Sequence, residues 1–175
     1  TGFTPAATGS NPCFNIGANG DISINDMQIG QAVGSVIVTA GASVIVDNLS
    51  ANYAQAGGSD FFAVSIAGHP QRVDIKGSLF FGQADAHSRG IVSANMADVL
   101  RVHGSGFWNI NDPVTVTTTA GRTLEIQNNY SVSTFGTVSV ALTGVGPVFY
   151  GGNLFDKPPK GSVTTCGGSA SVTGA

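Results

Sequence analysis

Charge is what this sequence has least of: seven Lys and Arg against ten Asp and Glu in 175 residues, a formal net charge of −3. Charged residues make up 10%, where an average globular chain has roughly 25%. The few cations are scattered, so no basic face for nucleic acid is expected. Long apolar runs are missing as well. None approaches the roughly 18 to 20 residues that a membrane helix needs. The most apolar stretch, 33–46, is broken by Gly34, Ser35, Thr39, Gly41 and Ser43. Membrane insertion is therefore not expected.

Strong helix formers are scarce, with Val, Thr, Ser, Gly and Asn in their place, which favours strands. Three His and two Cys far apart in the chain make no zinc spacing. A Gly-Gly-x-Gly-x-Asp calcium repeat is also missing. The Gly-rich stretches lack the strand–loop–helix setting that cradles phosphate, and the regular outward Thr rows of an ice-binding surface are absent. No metal and no cofactor is expected. Thr1 stands where an initiator Met would, so the chain is expected to be a processed product or a piece of something longer.

What the sequence has instead is repetition. The segment Val44-Ile45-Val46-Asp47-Asn48 recurs in six versions, whose third residues are Ile24, Val46, Ile75, Val102, Ile126 and Tyr150. Two places earlier stands another apolar residue, from Ile22 and Val44 to Val148. Two places later stands Asp26, Asn48, Gly77, Gly104, Asn128 or Gly152. Asp, Asn and Gly enter the left-handed backbone region most cheaply, so a bend is expected at each.

A second strand precedes each copy: 14–16, 36–38, 64–66, 91–93, 114–116 and 138–140, with 163–165 as a possible seventh. A third apolar pair follows each bend: Met27 and Ile29, Leu49 and Ala51, Leu79 and Phe81, Phe107 and Ile110, Tyr130 and Val132, then Leu154. Period-2 strands repeating every 22 to 29 residues are the mark of a β-solenoid. One unit cannot bury its own inner face, but stacked units form continuous apolar ladders. The prediction is an all-β solenoid of six to seven coils with three strands per coil, as one domain over 1–175. Its coils occupy 14–155, after a lead-in over 1–13 and before a C-terminal turn and partial coil over 156–175. At about 4.8 Å per coil, Cys13 and Cys166 would lie ~29 Å apart, too far for a disulfide within one chain.

This three-strand unit with an Asn- or Gly-bearing bend resembles the right-handed parallel β-helix of the pectate-lyase-like family, over Phe14 to Phe155. That family includes polysaccharide lyases, pectinases and the tailspikes and head spikes of bacteriophages. Its scaffold hosts many activities, so the resemblance is specific for fold. In its enzymes, acidic or basic residues project outward from the first strand of each coil. The outward positions here read Asn15, Ile37, Ser65, Val92, Thr115, Ser139 and Thr164, with no acid and no base. The pair of carboxylates that glycoside hydrolysis needs is missing from that place.

Two linkers, 47–63 and 76–90, are longer than the rest and lie in neighbouring coils, where insertions gather on one face. Asp60, Asp85 and Asp112 each precede a first strand in consecutive coils. They are the weak candidates for catalysis, although Asp also favours loop ends because it bonds local amides. Tyr53, His87, Arg89 and Trp108 are the candidate glycan-binding residues: hydrogen-bonding groups and rings able to stack on sugar. On the middle strand, Asp47 with Lys76 and Asp74 with Arg101 and Glu125 are expected to pair between coils.

The resemblance implies a structural, receptor-binding spike or fibre segment at a virion surface, outside the cell. It would be a homotrimer in contact with other virion proteins, attached to a cell-surface polysaccharide. The alternative is a polysaccharide depolymerase, hydrolase or lyase, on the same scaffold.

Overall fold

The computed structural model of the chain describes residues 2–3, 12–17, 20–32, 35–53, 60–93, 97–118, 121–137, 140–144, 147–157, 160–165 and 168–173. All regular structure there is β-strand, wound into a parallel β-helix. Side A stacks Phe14–Ile16, Ile37–Thr39, Phe61–Ile66, Ser88–Ser93, Val114–Thr118 and Val140–Gly144. Side B stacks Asp21–Ala32, Ser43–Tyr53, Arg72–Lys76, Val99–His103, Thr123–Gln127 and Val148–Gly151. The first two of these run on around the bend and form side C with Leu79–Phe81, Gly106–Trp108 and Tyr130–Val132.

The bend between sides B and C sits where the repeat placed it. Asp26, Asn48, Gly77, Gly104, Asn128 and Gly152 have φ of 50°, 55°, 53°, 60°, 57° and 66°. Each is a residue that tolerates the left-handed conformation. Because all six turn alike, successive strands stay in register. Val44, Val73, Leu100 and Leu124 form one fully buried ladder, and Val46, Ile75, Val102 and Ile126 another. Each such side chain contributes about 1.5–3 kcal/mol on leaving water. Ile22 is 42% exposed, because in this first rung only one neighbouring side B strand packs against it.

The residue after each bend faces the interior, where the turning backbone leaves amides that need partners. Leu49, Ser78, Ser105, Asn129 and Asn153 occupy this corner in successive coils. The Leu49 amide donates to Ser78 Oγ (3.2 Å), Ser78 to Ser105 Oγ (3.3 Å), Ser105 to Asn129 Oδ1 (2.9 Å), and Asn129 to Asn153 Oδ1 (3.0 Å). Asn129 Nδ2 in turn donates to the carbonyl of Val102 at 2.8 Å, and Asn153 Nδ2 to that of Ile126 at 2.9 Å. A buried polar column thus replaces the backbone bonds that the bend removes.

This corner corrects the reading of side C. Leu79, Phe81, Tyr130 and Val132 were expected inside, but Phe80 and Ser131 are the buried residues of those coils, while Phe107 and Ile110 are buried as expected. The inward positions are one and three places after the bend, and the first of them is polar from Ser78 onward. In those two coils apolarity picked out the wrong parity, whereas Ile29, Leu49 and Ala51 are buried as expected; Leu154 is 79% exposed. On side A, Ile37 lies in register with Phe14 and Val64 and is buried. The outward column is Asn15, Val38, Ser65, Val92, Thr115 and Ala141, still without an acid or base. Ser139 lies outside the described residues, and the side chain of Thr164 is not among those described.

The solenoid has about four turns, fewer than the six to seven expected. The last repeat makes a partial coil, which holds side C by a single bridge between Tyr130 and Leu154. Lys160–Thr165 continues side A in parallel beside Val140–Gly144, and Gly168–Thr173 folds back on it antiparallel. Asp156 ties this end down. It accepts hydrogen bonds from the Ser131 and Thr134 hydroxyls and, at 2.7 Å, from the Thr134 amide. Burial pushes its carboxyl up, but these bonds outweigh that effect and hold it below the usual carboxylate range.

Replacing Asn129 by Ala orphans the Ser105 amide and the Val102 carbonyl. Thermal unfolding should show a loss of about 2–4 kcal/mol, with Asn129→Ser milder. Asp156 has a depressed folded pKa, so its stabilisation is present above the unfolded carboxylate range and disappears as pH falls through the folded value. Asp156→Asn should cost about 1 kcal/mol at neutral pH, a figure lowered for solvent exposure. That difference from the parent chain should shrink in acid, as melting curves across a pH series will show.

Candidate functional site

The strands of side A fix where the loop residues fall. Phe61 pairs with Ser88 and Phe62 with Arg89, so Asp60 and His87 are level in neighbouring coils. Ile91 pairs with Val114, which brings Arg89 level with Asp112 one coil further on. Four of the singled-out residues therefore meet at one edge. His87 Nδ1 lies 3.0 Å from Asp60 Oδ1, and Arg89 Nε lies 3.5 Å from Asp60 Oδ2. The Arg89 guanidinium also pairs with the Asp112 carboxylate, which accepts a 3.0 Å bond from Asn111 Nδ2. The side chains of His87 and Asp60 are 39% and 40% exposed, that of Asp112 only 18%.

Asp85 does something else. Its Oδ1 accepts from the amides of His87 (3.0 Å) and Ser88 (2.8 Å), which folds the loop that presents His87. Gly90 lets this coil lie against the next, since a Cβ there would stand 1.9 Å from the Pro113 carbonyl oxygen. Trp108 belongs to the neighbouring side C, on the far side of the corner at Asn109, where φ is 53°. Its ring stacks on Phe81 at 4.8 Å and meets Tyr130 edge-on at 5.0 Å. Tyr53 ends its side C strand, and its side chain is not among those described.

Side B carries another charged group. Lys76 pairs with Asp47 at 3.3 Å, and Arg101 reaches Asp74 at 3.8 Å and Glu125 at 3.1 Å. His103 adds a contact to Glu125 at 3.3 Å, and Arg72 Nε donates to Asp74 at 2.8 Å. Asp74 is 2% exposed. Arg72 and Asp74 share one strand, whereas the pairs of Asp47 with Lys76 and of Arg101 with Asp74 and Glu125 link neighbouring rungs, as the sequence predicted. Cys13 is a free thiol packed against the core, raised in pKa by its burial. Cys166 lies outside the described residues.

Among the described residues, no group of three or more His, Cys, Asp or Glu is placed to hold a metal ion. Chemically, the Asp60–His87–Arg89–Asp112 patch offers donors and acceptors side by side on an exposed edge. The aromatic row of Phe81, Trp108 and Tyr130 was not foreseen as a unit. The signal for it was Gly106: a Cβ there would meet Trp108 and Tyr130 ring atoms at 2.6 Å, so the rings need the bare backbone beneath them.

Arg89→Met should lower stability by only about 1 kcal/mol, as for exposed ion pairs. Gly90→Ala, which forces a Cβ onto neighbouring backbone, should cost about 1–3 kcal/mol or more. Chemical denaturation of both variants tests whether the patch is dispensable for folding while the backbone under it is not.

Compared with protein-family models, curated proteins and solved structures, the chain matches none, so its assignment as a parallel β-helix stands on its own register and bends.

Proposed function

We propose that this chain is a spike or fibre segment of a phage or phage-like particle, which attaches to a cell-surface polysaccharide without cleaving it. The observation that carries the reading is how the patch carboxylates are engaged. Asp60 is held by His87 and Arg89, and Asp112 by Arg89 and Asn111. An acid–base pair for glycoside cleavage must exchange protons with substrate and water, whereas these two share one guanidinium. The outward column of side A supplies no substitute. A hydrogen-bonding patch on a stiff, sparsely charged solenoid suits adhesion to a chain of hydroxyl groups. On this reading the chain is a homotrimer at the virion surface, in contact with other virion proteins.

One observation favours the depolymerase reading: two carboxylates, an imidazole and a guanidinium do converge at an exposed edge. Incubation with host polysaccharide separates the two. New reducing ends or unsaturated-uronate absorbance would establish cleavage and overturn the adhesive reading. The expected result is neither, with cell attachment reduced several-fold by His87→Ala combined with Arg89→Ala. Light scattering of the native particle at several concentrations should give a stable trimer, and a well-behaved monomer would overturn the spike assignment.

A further inference from the structure

The outward face of side C carries a feature that the loop patch does not use. Gln28 and Ser50 are level in neighbouring coils, as are Asn52 and Phe81. With Ile29 and Gly30, these residues line an open groove of about 300 Å³, a volume suited to a small ligand. None of the lining residues is charged. An aromatic ring has two faces: Trp108 takes one face of Phe81, with only 15° between the planes, and Phe81 also borders the groove. Tyr130 braces Trp108 from the other direction, edge to face at 89°. The Phe81 ring is thus held in place before any ligand arrives, and such preorganisation spares the cost of ordering it on binding.

We infer that this groove binds a neutral pyranose unit of a glycan, stacked on Phe81 and hydrogen-bonded by Gln28, Ser50 and Asn52. The chemistry follows from the lining. Two amides and a hydroxyl both donate and accept, matching sugar hydroxyls. An aromatic face suits the C–H face of a pyranose, and the lack of a cation gives a uronate or sulfate no counter-charge. The inference rests on the polysaccharide-binding reading above, but it places a second, separate contact around the corner from Asp60, His87, Arg89 and Asp112.

The test is retention of the full chain on a printed array of neutral and uronate-bearing glycans. Gln28→Ala combined with Asn52→Ala alters two exposed positions and should leave the melting curve unchanged. This double variant and Phe81→Ala should each lose neutral-glycan retention at least tenfold. If both bind as well as the parent while Arg89→Ala abolishes binding, the groove assignment fails and the polysaccharide reading stands. If no glycan is retained by any of them, both fail. Retention of uronate-bearing glycans alone overturns the neutral-sugar assignment. A change in particle mass in the double variant would mean that a second copy of the chain occupies the groove, and would overturn it too.

Discussion

In each of the six repeats one residue must adopt a left-handed backbone, and the rest of the molecule depends on all six doing so at the same register. The energetic argument is local. A β-branched or bulky residue at Asn48 or Asn128 would pay roughly 1–2 kcal/mol for that conformation, while Asn, Asp and Gly enter it cheaply. The consequence is global, because a bend misplaced by one residue would turn each buried side chain beyond it outward. The strands of sides B and C would then lose both their apolar ladder and their parallel hydrogen bonds.

Strict register makes every position a column, and the columns differ according to what surrounds them. Inside side B the column is aliphatic, because water is excluded and packing decides. In the corner after the bend it becomes Ser78, Ser105, Asn129 and Asn153, because backbone amides there have left the ladder and need side-chain acceptors. Outside side B it alternates in charge, Asp74 with Arg101 with Glu125, since like charges about 4.8 Å apart would repel. One geometric rule produces three chemistries.

The same stacking brings sequence-distant residues together. Asp60, His87, Arg89 and Asp112 come from three coils and share one edge only because their side A strands pair in register. Phe81, Trp108 and Tyr130 likewise assemble from three coils on side C. A solenoid builds extended surfaces of this kind from residues of several coils.

The repeat of Ile, Val and Leu with Asp, Asn or Gly two places on was enough to determine a parallel β-helix, its six bends and the ion pairs between coils. Each of these follows from local backbone preference or from side-chain period. Loop lengths likewise pointed to the edge where Asp60, His87 and Arg89 gather. Which apolar residues of side C face inward was decided only by the folded chain. Ser78 and Asn129 occupy buried positions because they satisfy backbone amides, and hydrophobicity carries no signal for that. Phe81 therefore reads as core, yet it lies on the outside in the aromatic row with Trp108, because parity is counted from the bend and the bend's polar corner is visible only in three dimensions.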